Sequence, residues 1–410
     1  MPICAEKGFP ENESVFHDTK KYGRTRPDSA ALFFQQMKPF FIGSEIYRGS
    51  SYGQWHPLHI PRVSTVMDLT RALGWIGPGQ YRASPRAKPA ALESFHTPDY
   101  IAALQQAEAL QAVDELSRTR HGLGTTANPV FPEMFRRPAT GAGGVMLAAE
   151  LVREGGVVHV PGGGTHHAMA ERANGFCYLN DPVLCLLALR GLGLSRIAYV
   201  DIDAHHCDGV EAALGGAEDM VLVSVHEERR WPFTGALEDT GGGRAFNLPV
   251  PRGFNDSEMR VVLHRLILPV LERFDPQAVV LQCGADAVEE DPLSRLSLSN
   301  NAHVAVALAL RDLAPRLIVL GGGGYNPWSV ARAWTRVWGA LNGWSAAGVL
   351  PEEAQAVLGA LTWNRRASGR VPPDTWRMTL EDAPREGEVR AEVLERVEAL
   401  RGREVMALTG

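Results

Sequence analysis

The sequence has 410 residues, 45% of them hydrophobic and 21% charged, a globular balance with ample chain for a large core. Its 47 acidic and 41 basic residues leave a net charge of -6, so bulk electrostatics offers no case for a nucleic-acid or anionic-membrane partner. No uncharged apolar run reaches the roughly 18 residues of a transmembrane helix.

The first fourteen residues mix Glu, Lys, Pro and Asn without an apolar segment, so no signal peptide is expected. The short basic run Lys20, Lys21, Arg24 and Arg26 reads as a solvated face. Five sparse cysteines, Cys4, Cys177, Cys185, Cys207 and Cys283, contain no C-x-x-C pair. A disulfide framework is not expected, and the cytoplasm is the expected compartment.

Residues 29–52 look like a long loop. Helical spacing of apolar residues predicts helices over 63–73 and 97–111, then a second loop over 122–138 and a helix over 141–153. Five short runs follow that are rich in Val, Ile and Leu: 156–160, 196–200, 220–225, 278–282 and 316–320. Each reads as a buried parallel strand. Helical patterns over 182–192, 257–274 and 301–313 lie among them. Strand alternating with helix predicts a parallel sheet covered on both faces, in one domain without repeats. The tail, 387–405, reads as a charged amphipathic helix.

In open α/β sheets, ligands bind beyond the carboxyl ends of the strands. Four strand ends here carry polar clusters. Val160 is followed by Pro-Gly-Gly-Gly-Thr-His166-His167. Val200 leads into Asp201-Ile-Asp203-Ala-His205-His206-Cys207-Asp208, Gln282 into Cys-Gly-Ala-Asp286, and Leu320 into four glycines and Tyr325.

Alternation in extended chain lets Asp201, Asp203 and His205 face one side. Carboxylates and an imidazole at that spacing suit a divalent metal, zinc first. The alternative is a structural ion-pair network. Catalytic zinc takes three protein ligands and an open position, and Asp286 is the best further candidate, although Asp also caps helices. His166 and His167 suit a general base and acid, with Asp201 and Asp208 as partners for their second ring nitrogens. They also fit an exposed loop pair. Glycines 321–324 lack the order and the Lys-Ser/Thr of a phosphate loop. They suit a turn that presents the Tyr325 hydroxyl to an oxyanion, or a ring packed beside a tight turn.

HVPGGGTHHAMAERANGFCYLND, YVDIDAHHCDGVE, SVHE, VLQCGADAVEEDPLSRL and LGGGGYN resemble the histone deacetylases and the bacterial acetoin-utilisation-type deacetylases. Weaker echoes are His56-Pro57 with Arg62, Phe95–Tyr100 and Gly122-Leu123-Gly124. The resemblance implies an α/β fold of the arginase–deacetylase type: one three-layer αβα domain with a central parallel eight-stranded sheet. It places a catalytic domain over residues 1–345, with core motifs over 159–326, and a helical extension over 346–410 packed on the same domain.

The resemblance further implies Asp203, His205 and Asp286 as ligands of zinc, with ferrous iron as the alternative. His166, His167 and Tyr325 would be catalytic, with Asp201 and Asp208 behind the histidines. Gly175 and Phe176 would line the acyl channel, with Leu293 and Gly323 beside the substrate and a second aromatic wall at Trp231 or Phe233. Arg62 matches an internal acetate-exit arginine. Asp201, Asp203, His205 and Ser224 match a structural potassium site. The implied activity removes acetyl or related acyl groups from lysine side chains of proteins or peptides, or from small acylated amines.

Three positions depart from the family pattern. Cys207 stands in place of the usual glycine. Thr126, Ala127 and Asn128 offer no Asp to grip a peptide backbone. Leu293 replaces the glutamate of polyamine-selective relatives, while Glu289 and Glu290 are expected at the rim, where they would favour positive substrates or simply be solvated. The competing readings are an acetylpolyamine amidohydrolase, a two-manganese ureohydrolase and an inactive acyl-lysine binder.

Overall fold

Branched and aromatic side chains suit a pleated surface buried on both faces. In the computed structural model, which describes residues 37–363 and 372–407, eight segments pair as strands. They are β1 (Phe40–Gly43), β2 (Tyr81–Ala83), β3 (Gly156–Val160), β4 (Ile197–Asp201), β5 (Met220–Glu227), β6 (Ala245–Val250), β7 (Ala278–Gln282) and β8 (Arg316–Leu320). One sheet results, in the order β2-β1-β3-β8-β7-β4-β5-β6, and every pairing is parallel. This is the eight-stranded parallel α/β sheet that the resemblance implies. The N-terminal fourteen residues, the basic run Lys20–Arg26 and Cys4 lie outside the described residues.

Strand alternation separates two cores. Val157, Ala198, Val200, Val221, Val223, Val279, Leu281, Leu317 and Val319 pack against Met259, Leu271, Leu310 and Val337 on one face. Their neighbours Val158, Val160, Ile197, Tyr199, Leu222, Val280 and Ile318 pack against Val145, Ala148, Val183, Leu186 and Val210 on the other. Helices Arg136–Leu151, Asp181–Gly191 and Asp208–Leu214 thus form one layer. Asn300–Leu313 and Pro327–Leu341 lie in the other, with the helical run that begins at Asp256. Each fully buried Val or Leu contributes about 1.5–3 kcal/mol. Among the described residues, no helix is long and apolar enough to cross a membrane.

Several elements differ from expectation; β2 and the helices Asp208–Leu214 and Pro327–Leu341 are additional to those expected. The supposed loop 29–52 contains β1 and a helical turn, Ile46–Gly49, within its described part. Four apolar residues are too few to set a periodicity, and pairing with β2 and β3 makes them a strand. The single helix expected over 257–274 runs as Asp256–Val262, a π-helical stretch Leu263–Ile267 and Leu268–Phe274. Pro269 lacks the N–H that would close the ordinary helical bond across this turn. β6 went unread because Asn247 and Pro249 break its apolar run; proline is tolerated there because β6 is an edge strand.

The chain after residue 372 returns to the sheet. Val393, Val397 and Leu400 join the first core. Arg332 pairs with Asp382 at 2.7 Å, both buried, and Asp382 also accepts the backbone N–H of Asn300 at 3.0 Å. Asp382→Ala leaves Arg332 as an uncompensated buried charge. We expect a loss of about 3–5 kcal/mol in denaturant unfolding; a loss under about 1 kcal/mol would show that the pair does not anchor this segment.

Candidate active site

The four strands whose ends carry polar clusters, β3, β8, β7 and β4, are consecutive in the sheet. Their ends are level, since Val160 is in register with Leu320, Leu320 with Gln282, and Gln282 with Asp201. Segments distant in sequence therefore emerge side by side at one sheet edge.

Asp203 and His205 follow β4, and Asp286 sits in the turn Ala285–Ala287 after β7. Their ligand atoms lie within 4.8 Å of one another, and all three residues are buried. His205 Nδ1 stands 2.9 Å from Asp286 Oδ2 and 3.3 Å from Asp203 Oδ1. Backbone N–H groups aim the carboxylates: Gly323 donates to Asp203 at 2.6 Å and Ala204 to Asp286 at 3.0 Å. The glycines make room, for a Cβ on Gly323 would lie 2.0 Å from Asp286 Oδ2, and one on Gly284 2.1 Å from Asp203 Oδ2. Asp201 does not share this side. Its carboxylate accepts from Tyr199 Oη at 2.7 Å and from the Asp203 N–H at 2.9 Å, and meets His166.

Two carboxylates buried together call for a cation. Burial, then Asp203, pushes the Asp286 carboxyl up. Burial pulls the His205 imidazole down, but hydrogen bonds and charge from Asp203 and Asp286 outweigh it and raise it to about 10. Two carboxylate oxygens and one imidazole nitrogen fit a divalent ion such as zinc or ferrous iron.

His166 and His167 are not an exposed loop pair. Both are buried, their rings 4.0 Å apart. His166 Nδ1 lies 2.8 Å from Asp201 Oδ2, and His167 Nδ1 lies 2.6 Å from Asp208 Oδ1. Burial lowers the His166 imidazole, yet the Asp201 and Asp203 carboxylates prevail and raise it to about 9. His167 goes the other way, since burial and then the His166 charge bring it to about 4. The two rings are thus pushed in opposite directions, the contrast that acid–base pairs use.

Supporting residues were missed in the sequence. Tyr199 lies two residues before Asp201, hence on the same strand face, a signal that alternation carries. Asn174 donates to Asp208 Oδ2 at 3.1 Å. Asn180 donates to the carbonyls of His166 and Ala168 at 3.2 and 2.8 Å, and its Oδ1 caps the next helix at Val183. An Asn before an apolar helix was a readable cap signal.

Tyr325 is buried, and its hydroxyl makes no hydrogen bond among the described residues. Asp291 holds its backbone N–H at 2.6 Å, and Asn326 caps the following helix. Tyr325, His167 and His205 all line a cleft of about 650 Å³. Phe176 forms one wall, 5.8 Å from the Tyr325 ring. Trp231 forms a second wall, its ring 4.6 Å from that of His167, and Phe233, 73% exposed, also lines the cleft. Leu293, Ala127, Asn128 and Gly175 also line the cleft. Gly323 instead borders a second, inner cavity of about 50 Å³, together with Tyr47, Arg62, Arg137 and His166. Arg62 Nη1 donates there to the Gly322 carbonyl at 2.6 Å.

Two uncertainties in the sequence are settled by packing. Cys207 is buried in the second core and serves to pack; it is free, as are Cys177, Cys185 and Cys283. Glu289 and Glu290 do not line the cleft, contrary to expectation. Both are held by Arg385, Glu289 at 2.8 Å. A long-range partner, invisible in the local sequence, turns them away.

The chain matches the family described as the histone deacetylase domain over residues 56–341. Acetoin utilization protein AcuC of Bacillus subtilis (strain 168) is 33% identical over 327 residues, 76% of this chain and 84% of that protein. Histone deacetylase 2 of Oryza sativa subsp. japonica is 35% identical over 294 residues, 69% of this chain and 57% of that one. A crystal structure of an HDAC homolog from Aquifex aeolicus superposes with a TM-score of 0.85 at 36% identity, covering 89% of this chain and 100% of that one. A crystal structure of an HDAC homolog complexed with SAHA matches with the same values.

Proposed function

The chain belongs to the histone deacetylase family, and from that premise we propose that it is a zinc-dependent amidohydrolase. It removes acetyl or related acyl groups from lysine side chains or similar amines. One observation carries this reading: His205 of the buried Asp203–His205–Asp286 trio shares its cleft with His167 and the free hydroxyl of Tyr325. We take the cytoplasm as its compartment, residues 1–345 as the catalytic domain and 346–410 as an extension packed on it.

Asp203, His205 and Asp286 would hold the zinc, which when bound polarises the amide carbonyl and lowers the pKa of a water. His167, neutral and oriented by Asp208, accepts the water proton and returns it to the leaving amine. His166, its imidazole raised by the Asp201 and Asp203 carboxylates, stands behind it and favours positive charge there. The Tyr325 hydroxyl donates to the oxygen of the attacked carbonyl as charge develops there. Gly175, Phe176 and Trp231 confine the acyl-amine chain, with Leu293 at the mouth. Arg62 borders the inner cavity, which suits the departing carboxylate. Asp201, Asp203, His205 and Ser224 are our candidates for a structural potassium, a reading supported by the registry of Asp201 with Ser224 on adjacent strands.

Among the described residues one trio has metal-ligand spacing, which favours a single ion over the paired manganese of a ureohydrolase. The test combines elemental analysis with an acyl-substrate panel of acetyl-lysine peptides, acetylpolyamines and small acetylamines. We expect one ion per chain and cleavage of acyl-lysine substrates that SAHA suppresses. Intact substrates across the whole panel with metal-loaded enzyme would overturn the reading.

Gly175 gives a further prediction. Its φ is +52°, and a Cβ there would lie 2.1 Å from the Trp231 ring and 2.8 Å from His167. Gly175→Ala should cost about 1–2 kcal/mol from the left-handed backbone alone and displace Trp231. Calorimetry and a raised KM for an acetyl-lysine peptide would register the two effects; an unchanged KM would remove Trp231 from the channel.

A further inference from the structure

We infer that the acylated amine taken by this site carries an anionic group, most simply a carboxylate, just outside the channel, and that Arg172 and Arg229 select it. The inference rests on the hydrolase reading above and names the substrate class within it.

Three arginines, Arg172, Arg229 and Arg230, line the cleft, and no Asp or Glu does. Arg230 is neutralised: its Nη2 lies 3.0 Å from Glu227 Oε1, and its Nη1 donates to the Leu293 carbonyl at 2.8 Å. Arg172 and Arg229 are exposed and make no ion pair among the described residues. The acids that might have offset them are engaged elsewhere or lie outside the cleft lining. Glu228 is held by Arg396 at 2.9 Å, Glu289 and Glu290 by Arg385, and Glu171 does not line the cleft.

This rim is built rather than incidental. Arg229 has a φ of 55°, a conformation that non-glycine residues rarely adopt. Phe176 and Phe233, also in the cleft wall, share it at 68° and 63°. The other two such residues, Gln111 and Asp275, end helices, where that conformation is ordinary. Two uncompensated guanidinium groups beside apolar walls focus a positive potential on the mouth, and their planar forks match a carboxylate. A polyamine would bring ammonium groups against them.

The test measures kcat/KM of the metal-loaded full chain on acetyl-lysine peptides flanked by Glu, Gln or Lys. A companion pair is free Nε-acetyl-lysine and its α-amide. Exposed charge pairs each contribute a few-fold, so we expect Glu over Gln over Lys, with about a tenfold span. The span should shrink as salt rises from about 0.05 to about 0.5 M, and invert in the doubly reversed variant R172E/R229E. Because the readout is a ratio within one preparation, loss of folded protein does not affect it. A preference for free acetyl-lysine over its amide identifies the anion as the amino acid's own carboxylate; a preference among peptides alone identifies it as an acidic neighbour. Cleavage without preference, or a preference that survives R172E/R229E, would overturn this inference alone. Failure to cleave any substrate would bring down the hydrolase reading, and this inference with it.

Discussion

Asp286→Asn should strip the protein of its metal and stop turnover while leaving the metal-free fold at least as stable as before. Asparagine keeps an oxygen to accept the Ala204 N–H, now 3.0 Å from Asp286 Oδ1, so the local turn has no reason to open. What disappears is one of two buried negative charges. Asp203 and Asp286 lie against a single imidazole, and burial with the neighbouring Asp203 already pushes Asp286 up. Relieving that repulsion favours the metal-free state. The cost falls on the metal, which loses a charged ligand. We expect affinity to fall by more than about a hundredfold and turnover by about a thousandfold. Added zinc should stabilise the parent protein by about 4 kcal/mol at a thousand times its Kd, and the variant by far less. Elemental analysis and calorimetry with and without metal read both halves. A variant that keeps one ion per chain and full activity would place the third ligand elsewhere.

Tyr325→Phe separates chemistry from binding. The hydroxyl makes no hydrogen bond among the described residues, so its removal leaves no buried partner stranded, and the ring keeps its place beside Phe176. Burial, followed by Asp286 and Asp203, drives the phenol well above its ordinary value. It therefore stays a protonated donor across the working pH range. A donor that acts only on developing charge is typically worth a factor of about 100–1000 in kcat. We expect that loss with metal content, melting temperature and KM close to those of the parent. A comparable loss in KM would make Tyr325 a ground-state binder, and full activity would remove it from the mechanism.

The elements of the candidate site were legible to different degrees. The Asp203–His205 spacing and the tandem histidines are local patterns, visible in a few residues. Asp286 was readable only as a partner for them. Tyr199 and Asn180 left weaker signals in strand alternation and helix capping. The pairing of Arg230 with Glu227 left none that points to the cleft. The rim was misread through Glu289 and Glu290, because their partner Arg385 lies about 95 residues away. Strands β1, β2 and β6 were missed for a related reason. Each is short or interrupted by polar residues and becomes a strand through the neighbour it pairs with.

By itself, the sequence determined the five central strands, three of the helical runs between them and the side chains that chemistry requires, because periodicity and residue type act over a few positions. Tertiary structure alone decided that β3, β8, β7 and β4 lie side by side, that the carboxylates of Asp203 and Asp286 meet over His205, and that the mouth of the cleft is basic. Strand order follows from burying both faces of a whole sheet at once, and the charge of a rim depends on which long side chains find partners in space. Neither quantity is set by neighbours along the chain.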